Sequence, residues 1–298
     1  MDGCGYRPTP PVYRRPQVAA RGRDSSALAP TFGQATPALG TLGLVAVIDL
    51  HCHILPGLDD GPRKTGDAVK MARAAVDAGV RTIVATPHVS ETFPNRAEDI
   101  AAGAAGLIVE LARRDIALNI RTGAEITITR ALDLADEELA ALRLGGGPYI
   151  LVECPLTFEA PGAVEALLMH VQERGHPMLL AHPERSPAFL REPERLARLV
   201  GEGMLTSVTA GAFSGQFGRR VATFALDLLR DGLVHDIASD AHDAQRRSPR
   251  IFEHLLAADA ALPGTAARAE WHAREVPSAV LAGRPLAAPQ TLFSRPSR

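Results

Sequence analysis

The stretch VAVIDLHCHILPGLDDG, residues 45–61, opens as a short apolar run and closes on two histidines one residue apart and two adjacent aspartates. A run of that length, bounded by Pro and Gly, suits a strand buried on both faces rather than a helix. Residues 66–78 then show helical spacing, and a second apolar run, VRTIVATP, fills 80–87. The alternation repeats to the end of the chain. Further strands are expected at 117–125, 149–154, 177–182, 204–209 and 234–240, with helices at 97–114, 131–143, 161–174, 193–202 and 217–231. Several of these helices stop at glycine (Gly79, Gly175, Gly203, Gly232), the residue best suited to the left-handed turn that ends a helix. A last helical segment starts near Pro249, and VPSAVLAGRP (276–285) is expected to dock the C-terminus. Repeated strand–helix units imply parallel pairing. Seven strands with crossover helices make a closed or nearly closed α/β barrel the expected architecture over an open sheet.

The 298 residues fit one large domain with tails, and 46% of them are apolar, enough for a sizeable core. A net charge of −2 gives no electrostatic case for a nucleic-acid or anionic-membrane partner. Lysine occurs only at 64 and 70, so nearly all positive charge is arginine. Three cysteines (Cys4, Cys52, Cys154) follow no zinc-like spacing and suit a reducing compartment, so the expected location is cytoplasmic. No run approaches the ~18 apolar residues of a membrane span. Residues 1–46 hold six prolines and six glycines, with arginines but no apolar period or signal-peptide core. They are expected to be a disordered extension, dispensable to the fold, with Val45 and Val47 as candidate translation starts. The domain proper is then 47–285, followed by a tail at 286–298.

In a parallel β/α barrel, chemistry gathers at the C-terminal ends of the strands. Six of the seven expected strands deliver an imidazole or carboxylate there: His51 and His53, His88, Glu125, Glu153, His182, and Asp240 with His242. Each has a plainer reading alone. With ten histidines in 298 positions, a His-x-His pair arises by chance in about one such chain in three. Asp59 and Asp60 suit a turn or cap before the helix at 66; His88 and His182 suit ordinary loops. Glu153 does not fit so easily, because it interrupts the apolar run YILVECPL, where an unpaired carboxylate is costly and calls for a cation. Convergence on one rim outweighs the separate readings. Mixed imidazole and carboxylate donors without thiolate suit Mn²⁺, Fe²⁺ or Zn²⁺. Five histidines and four carboxylates exceed the needs of one ion, which implies two or three ions sharing carboxylates. A cysteine phosphatase is excluded by arithmetic: the position six residues after Cys4, Cys52 and Cys154 holds Pro10, Leu58 and Ala160, none of them the arginine of a phosphate loop.

The ordered set DLHCHILPGLDDG (49–61), ATPH (85–88), GAE (123–125), VECP (152–155), AHPER (181–185), TAGAFSGQFG (209–218) and LVHDIASDAH (233–242) resembles the manganese-dependent tyrosine-protein phosphatases of the PHP superfamily. These are the CpsB/YwqE-type proteins of bacterial capsule and exopolysaccharide operons, and the resemblance covers about 47–285. It implies a distorted (β/α)7 barrel, TIM-like, with a trinuclear Mn²⁺ centre. Carried over, one metal would be held by His51, His53, Glu125 and Asp240, a second by Glu125, Glu153 and His182, and a third by Asp60, His88 and His242. Asp60 rather than Asp59 matches the family spacing. Arg185 and Arg247 match arginines that contact the substrate phosphate, a task suited to a bidentate guanidinium. The chain departs from the family pattern at Val89, where a second histidine is common, across 89–96 (VSETFPNR), and at Cys154.

The expected activity is therefore phosphomonoester hydrolysis by a metal-bound hydroxide. The expected substrate is the phosphorylated tyrosine-rich tail of a bacterial tyrosine autokinase controlling polysaccharide export, and a homo-oligomer is a possible assembly. The nearest competitor is a PHP-type histidinol-phosphate or other small-molecule phosphatase. An amidohydrolase would want eight strands and usually a bridging carboxylated lysine, and Lys64 and Lys70 lie in or beside the first helix. A non-catalytic regulator would be expected to have lost ligands, and none of the nine is missing.

Overall fold

A computed structural model describes residues 46–156 and 163–286. In chain order the elements begin with β1 (Val47–Cys52), α1 (Thr65–Asp77), β2 (Val80–Ala85), β3 (His88–Val89), α2 (Ala97–Ala112), β4 (Asn119–Thr122) and β5 (Glu125–Thr127). They continue with α3 (Ile128–Asp133), α4 (Asp136–Ala141), β6 (Ile150–Glu153), α5 (Ala163–Glu173), β7 (Met178–Ala181), α6 (Pro187–Arg191), α7 (Pro193–Gly201) and β8 (Leu205–Thr209). The last are α8 (Ala210–Phe213), α9 (Arg219–Arg230), β9 (Asp236–Ala238), α10 (Ile251–Ala261) and α11 (Val276–Ala282). All of the expected extension but Ala46, Val45 included, the first two residues of the helix expected at 161–174 and most of the expected C-terminal tail lie outside the described residues.

Every pair of neighbouring strands runs parallel, as the alternation implies. They form two sheets, β1-β2-β4 and β3-β5-β6-β7-β8-β9, rather than the single closed sheet expected from seven strands. The reason lies in two of the expected strands, each of which is broken. The 80–87 strand stops before Thr86-Pro87: Pro87 has no N–H to give a ladder, and the Thr86 hydroxyl instead accepts the Cys52 amide at 3.0 Å. The 117–125 strand breaks at Gly123. A Cβ there would lie 2.9 Å from Leu144 and 3.0 Å from Val84, so only glycine lets the chain pass as it leaves β2 for β6. The expected helix 131–143 also divides, at an extended Leu134, and Glu138 caps the second half through the Ala135 amide. The short helices α6 and α8 had no signal in the spacing.

The chain crosses from the second sheet back to the first at one seam. Cys52 bridges Ala241, His53 N–H donates to Ala241 O at 2.9 Å, and Asp240 N–H donates to His51 O at 2.8 Å. In β6 and β7 alternate residues separate two apolar clusters. Ile150, Val152, Met178 and Leu180 join the large core beneath the helices, whereas Leu151 and Leu179 face a smaller cluster with Leu50 and Val84. Val276 and Val280 of α11 close that smaller cluster with Leu144 and Tyr149, so the 276–285 segment docks as its composition suggested.

Candidate metal centre

Strand register places the polar residues beside one another. His88 pairs with Glu125 across β3 and β5, Thr127 with Glu153 across β5 and β6, and Glu153 with Ala181 across β6 and β7, which sets His182 one residue beyond. The seam brings His51 and His53 against Asp240 and His242. All nine expected ligands therefore meet at one place.

Glu125 is at the middle. Its Oε2 lies 3.2 Å from His51 Nε2, 3.2 Å from His53 Nε2 and 3.1 Å from His88 Nδ1, yet it has no well-formed hydrogen bond among the described residues. Its Oε1 takes His182 Nε2 at 2.7 Å. Asp240 Oδ1 is 3.6 and 3.5 Å from the same two Nε2 atoms of His51 and His53. Those two nitrogens stand 3.1 Å apart with their rings turned inward. Asp60, half-exposed at the mouth, lies 3.1 Å from His242 Nε2 and 3.5 Å from His88 Nε2. Glu153 Oε1 is 3.6 Å from His182 Nε2.

Donor atoms fall into three overlapping groups: His51, His53 and Glu125; His53, Asp60, His88 and His242; His88, Glu125 and Glu153. The ligand sets carried over from the resemblance keep His53 and His88 in one set each. Here both rings stand between groups, as does Glu125.

The electrostatics match a site built for positive charge. Burial alone would raise the Glu125 carboxyl, but His51 and His182 outweigh it and hold it well below the usual carboxylate range. Asp240 is depressed in the same way, by His51, His182 and Arg247 against burial. Glu153 is pushed up to about 8, by burial and then by the Glu125 charge beside it. Burial would depress His53, yet the hydrogen bond to Asp59 and the Glu125 carboxylate beside it raise it to about 10. A carboxylate oxygen with no hydrogen-bond partner, two imidazole nitrogens face to face and a carboxyl that resists ionisation are all satisfied by divalent cations. The residues present fit the metal.

Asp59 has a different place from Asp60. Its Oδ2 accepts His53 Nδ1 at 2.7 Å and the His88 amide at 3.1 Å, and its Oδ1 accepts the Gly61 amide. Gly61 itself is required, because a Cβ there would lie 2.3 Å from His53 O. Thus the DDG motif fixes His53 and His88 through its first aspartate and offers a donor through its second. Spacing could not separate those roles.

Arg185 Nη1 and Arg247 Nη2 both reach Asp240 Oδ2, at 2.9 and 2.6 Å. Phe217 underlies both guanidinium groups, with its ring centre 4.7 Å from Arg185 Cζ and 5.9 Å from that of Arg247. This gives the TAGAFSGQFG motif a place at the site that its residue types did not disclose. Cys52 and Cys154 are buried, and burial pushes both thiols up, Cys154 to about 12, so neither is poised as a nucleophile. Lys70 is exposed and pairs with Asp67, away from any bridging position.

Residues 47–260 match the CpsB/CapC capsular polysaccharide synthesis family. The chain is 38% identical over 212 residues to the tyrosine-protein phosphatase YwqE of Bacillus subtilis (strain 168), covering 70% of this chain and 82% of that protein. It is 31% identical to the putative tyrosine-protein phosphatase CapC of Staphylococcus aureus, with the same two coverages. A chain from the crystal structures of YwqE from Bacillus subtilis and CpsB from Streptococcus pneumoniae, metal-dependent tyrosine phosphatases, superposes with a TM-score of 0.73 at 34% identity, covering 83% of this chain and all of that one. A 5-methylcytosine deaminase from Klebsiella pneumoniae shares the fold alone, with a TM-score of 0.52 at 13% identity.

Proposed function

Because the chain belongs to the CpsB/CapC family of capsular polysaccharide synthesis proteins, we propose that it is a metal-dependent protein-tyrosine phosphatase, a phosphoric monoester hydrolase. The observation that carries this reading is the pairing of the donor cluster with two guanidinium groups on its rim. Carboxylates and imidazoles gather cations, and the cationic forks beside them suit the phosphate dianion. Mn²⁺ is the ion we assign, with Fe²⁺ and Zn²⁺ as the other fits to oxygen and imidazole donors.

His51, His53, Glu125 and Asp240 would hold one ion, Glu125, Glu153 and His182 a second, and Asp60, His88 and His242 a third. When bound, such ions supply Lewis acidity, acidifying a water and neutralising charge on a transferring phosphoryl group. Arg185 and Arg247 orient the phosphate: each engages Asp240 through one nitrogen, leaving further N–H donors of the fork for phosphate oxygens. Phe217 beneath both limits their swing. Asp59 holds His53 in the ring orientation that directs Nε2 inward.

The substrate assigned is the phosphorylated tyrosine-rich tail of a bacterial autokinase controlling capsule or exopolysaccharide synthesis, met in the cytoplasm. The names of the relatives support it, and no helix among the described residues is long and apolar enough to cross a membrane. We read the two sheets as the walls of one distorted seven-stranded β/α barrel within a 47–285 domain; the Cys52–Ala241 bridge between them supports this. The test compares hydrolysis of a phosphotyrosine peptide, p-nitrophenyl phosphate and histidinol phosphate, with Mn²⁺ and after EDTA. Metal-dependent turnover of the first two is expected. Activity that persists after verified metal removal, or a strong preference for histidinol phosphate, sinks the reading.

A further inference from the structure

Beside the donor cluster lies a cleft of about 380 Å³, which reaches it through His88 and Glu153. Clefts of about 300–1,000 Å³ are of the size that holds small ligands. Half of its lining bears hydroxyls (Ser90, Thr92, Thr127 and Thr129), Glu91 adds a carboxylate, and Phe93 is the one hydrocarbon ring among the residues that line it. A phosphoryl group held at the cluster needs room for its ester substituent, and this cleft adjoins the cluster at two of its donors.

Phe93 is only partly buried, and its ring lies parallel to the His88 imidazole, with centres 5.7 Å apart and planes 12° apart. The loop that carries it is tightly tied. Phe93 N–H donates to Ser90 Oγ at 3.1 Å, and Ser90 N–H donates to Phe93 O at 3.0 Å. The Asn95 side-chain amide donates to Leu58 O and His88 O, both at 2.8 Å. A ring held in advance binds without the cost of ordering it. An aromatic face rewards a second aromatic ring through offset stacking, and it rewards a thin alkyl chain less.

Given the phosphatase reading above, we propose that Phe93 is the specificity-determining residue for aryl phosphate esters: the ring of the leaving phenol stacks against it as the phosphate sits at the metal centre. The segment where the sequence departs from the family pattern, 89–96, is thus the part that selects tyrosine over serine. Its effect belongs to the ester substituent, whereas any support that Phe93 lends to His88 would act on every substrate alike.

The experiment uses the full chain loaded with Mn²⁺ and compares wild type, Phe93→Ala and Phe93→Tyr. It measures kcat/KM for p-nitrophenyl phosphate, a phosphotyrosine peptide and a phosphoserine peptide, with inhibition by phenylphosphonate and by inorganic phosphate. In Phe93→Ala, kcat/KM for both aryl esters should fall about tenfold, and the phenylphosphonate inhibition constant should rise by a similar factor. Inorganic phosphate inhibition and metal content should stay within about twofold, and Phe93→Tyr should restore the aryl values. Equal losses on aryl and alkyl esters, a matching rise in the phosphate constant, or no loss at all would overturn the assignment while leaving the phosphatase reading intact. A wild-type protein that hydrolyses no phosphate ester overturns the phosphatase reading and this assignment with it.

Discussion

Asp59 holds the Nδ1 side of His53, and that single contact decides which nitrogen faces Glu125 and Asp240. A carboxylate in this position raises the basicity of a ligating imidazole and fixes its orientation, and losing it commonly costs 10–100-fold in metal affinity. Asp59→Ala should therefore need about 10–100-fold more Mn²⁺ for half-maximal activity, with kcat at saturating metal much nearer wild type. An unchanged Mn²⁺ titration would mean that Asp59 is only a turn residue. Arg185 and Arg247 are expected to behave in the opposite way. Alanine at either position should leave bound metal near wild type and cut kcat/KM by about 10²-fold, the size seen when a donor to developing charge is removed. Metal analysis beside steady-state kinetics separates the two behaviours. Full activity in both arginine variants would show that the family's roles do not transfer to these positions.

The elements divide into those that the sequence announces and those that packing imposes. Each of the seven expected strand positions is occupied by strand, because a buried parallel strand must be an apolar run and these runs are separated by helical period. Eight of the nine candidate donors stood out for a related reason, since a polar group at the end of such a run has few places to go; Asp60 looked like a turn residue and stood out only through the resemblance. The breaks at Thr86-Pro87 and Gly123 were not legible, since they depend on which neighbour each half-strand finds. Asp59, Phe93 and Phe217 were equally hidden, because their partners come from loops whose closure no periodicity encodes. The turn at Trp271–Glu275 is another case. It buries His272, whose Nδ1 donates to His235 O at 3.1 Å, beside β9 at the end opposite the metal centre. Burial depresses His272 to about 3 and His235 to about 4, from an unfolded value near 6.5. The unfolded chain then binds more protons between those values, so these groups contribute stability above pH 6.5 that is lost as pH falls toward 4 and 3. Each proton costs about 1.4 kcal/mol per pH unit across that window. The buried carboxyls of Glu184 and Asp236, raised to about 7 and about 8, pull the other way over the same range, so the histidine contribution is read as a difference between variants. His272→Asn cannot take up the proton, so its thermal midpoint relative to wild type should rise from pH 6.5 to 4.5, and parallel profiles would contradict this origin.

At the scale of the molecule, the candidate donors run from His51 to His242, so an ion bound by them would join segments far apart in the chain. Binding to the folded state alone stabilises it by about 2.7 kcal/mol at a hundredfold excess over Kd. Mn²⁺ should raise the thermal midpoint by several degrees, and calorimetry with and without EDTA would check this; no shift would mean that the nine donors do not act as a site. The seam between β1 and the segment after β9 gives that linkage a location. Besides the bridge and its two backbone hydrogen bonds, Ser239 donates to the Asp49 carboxylate across it, and it carries His51, His53, Asp240 and His242. Buried imidazoles and carboxylates are costly until a cation satisfies them, so opening should start where they are gathered. Amide deuterium uptake at His53 and Asp240 should thus run ahead of the strands of the larger sheet when the protein is stripped of metal, and fall back into step once Mn²⁺ returns. The phosphatase centre would then double as the clasp of its own scaffold, so that metal starvation loosens the fold at the same place where it silences the chemistry.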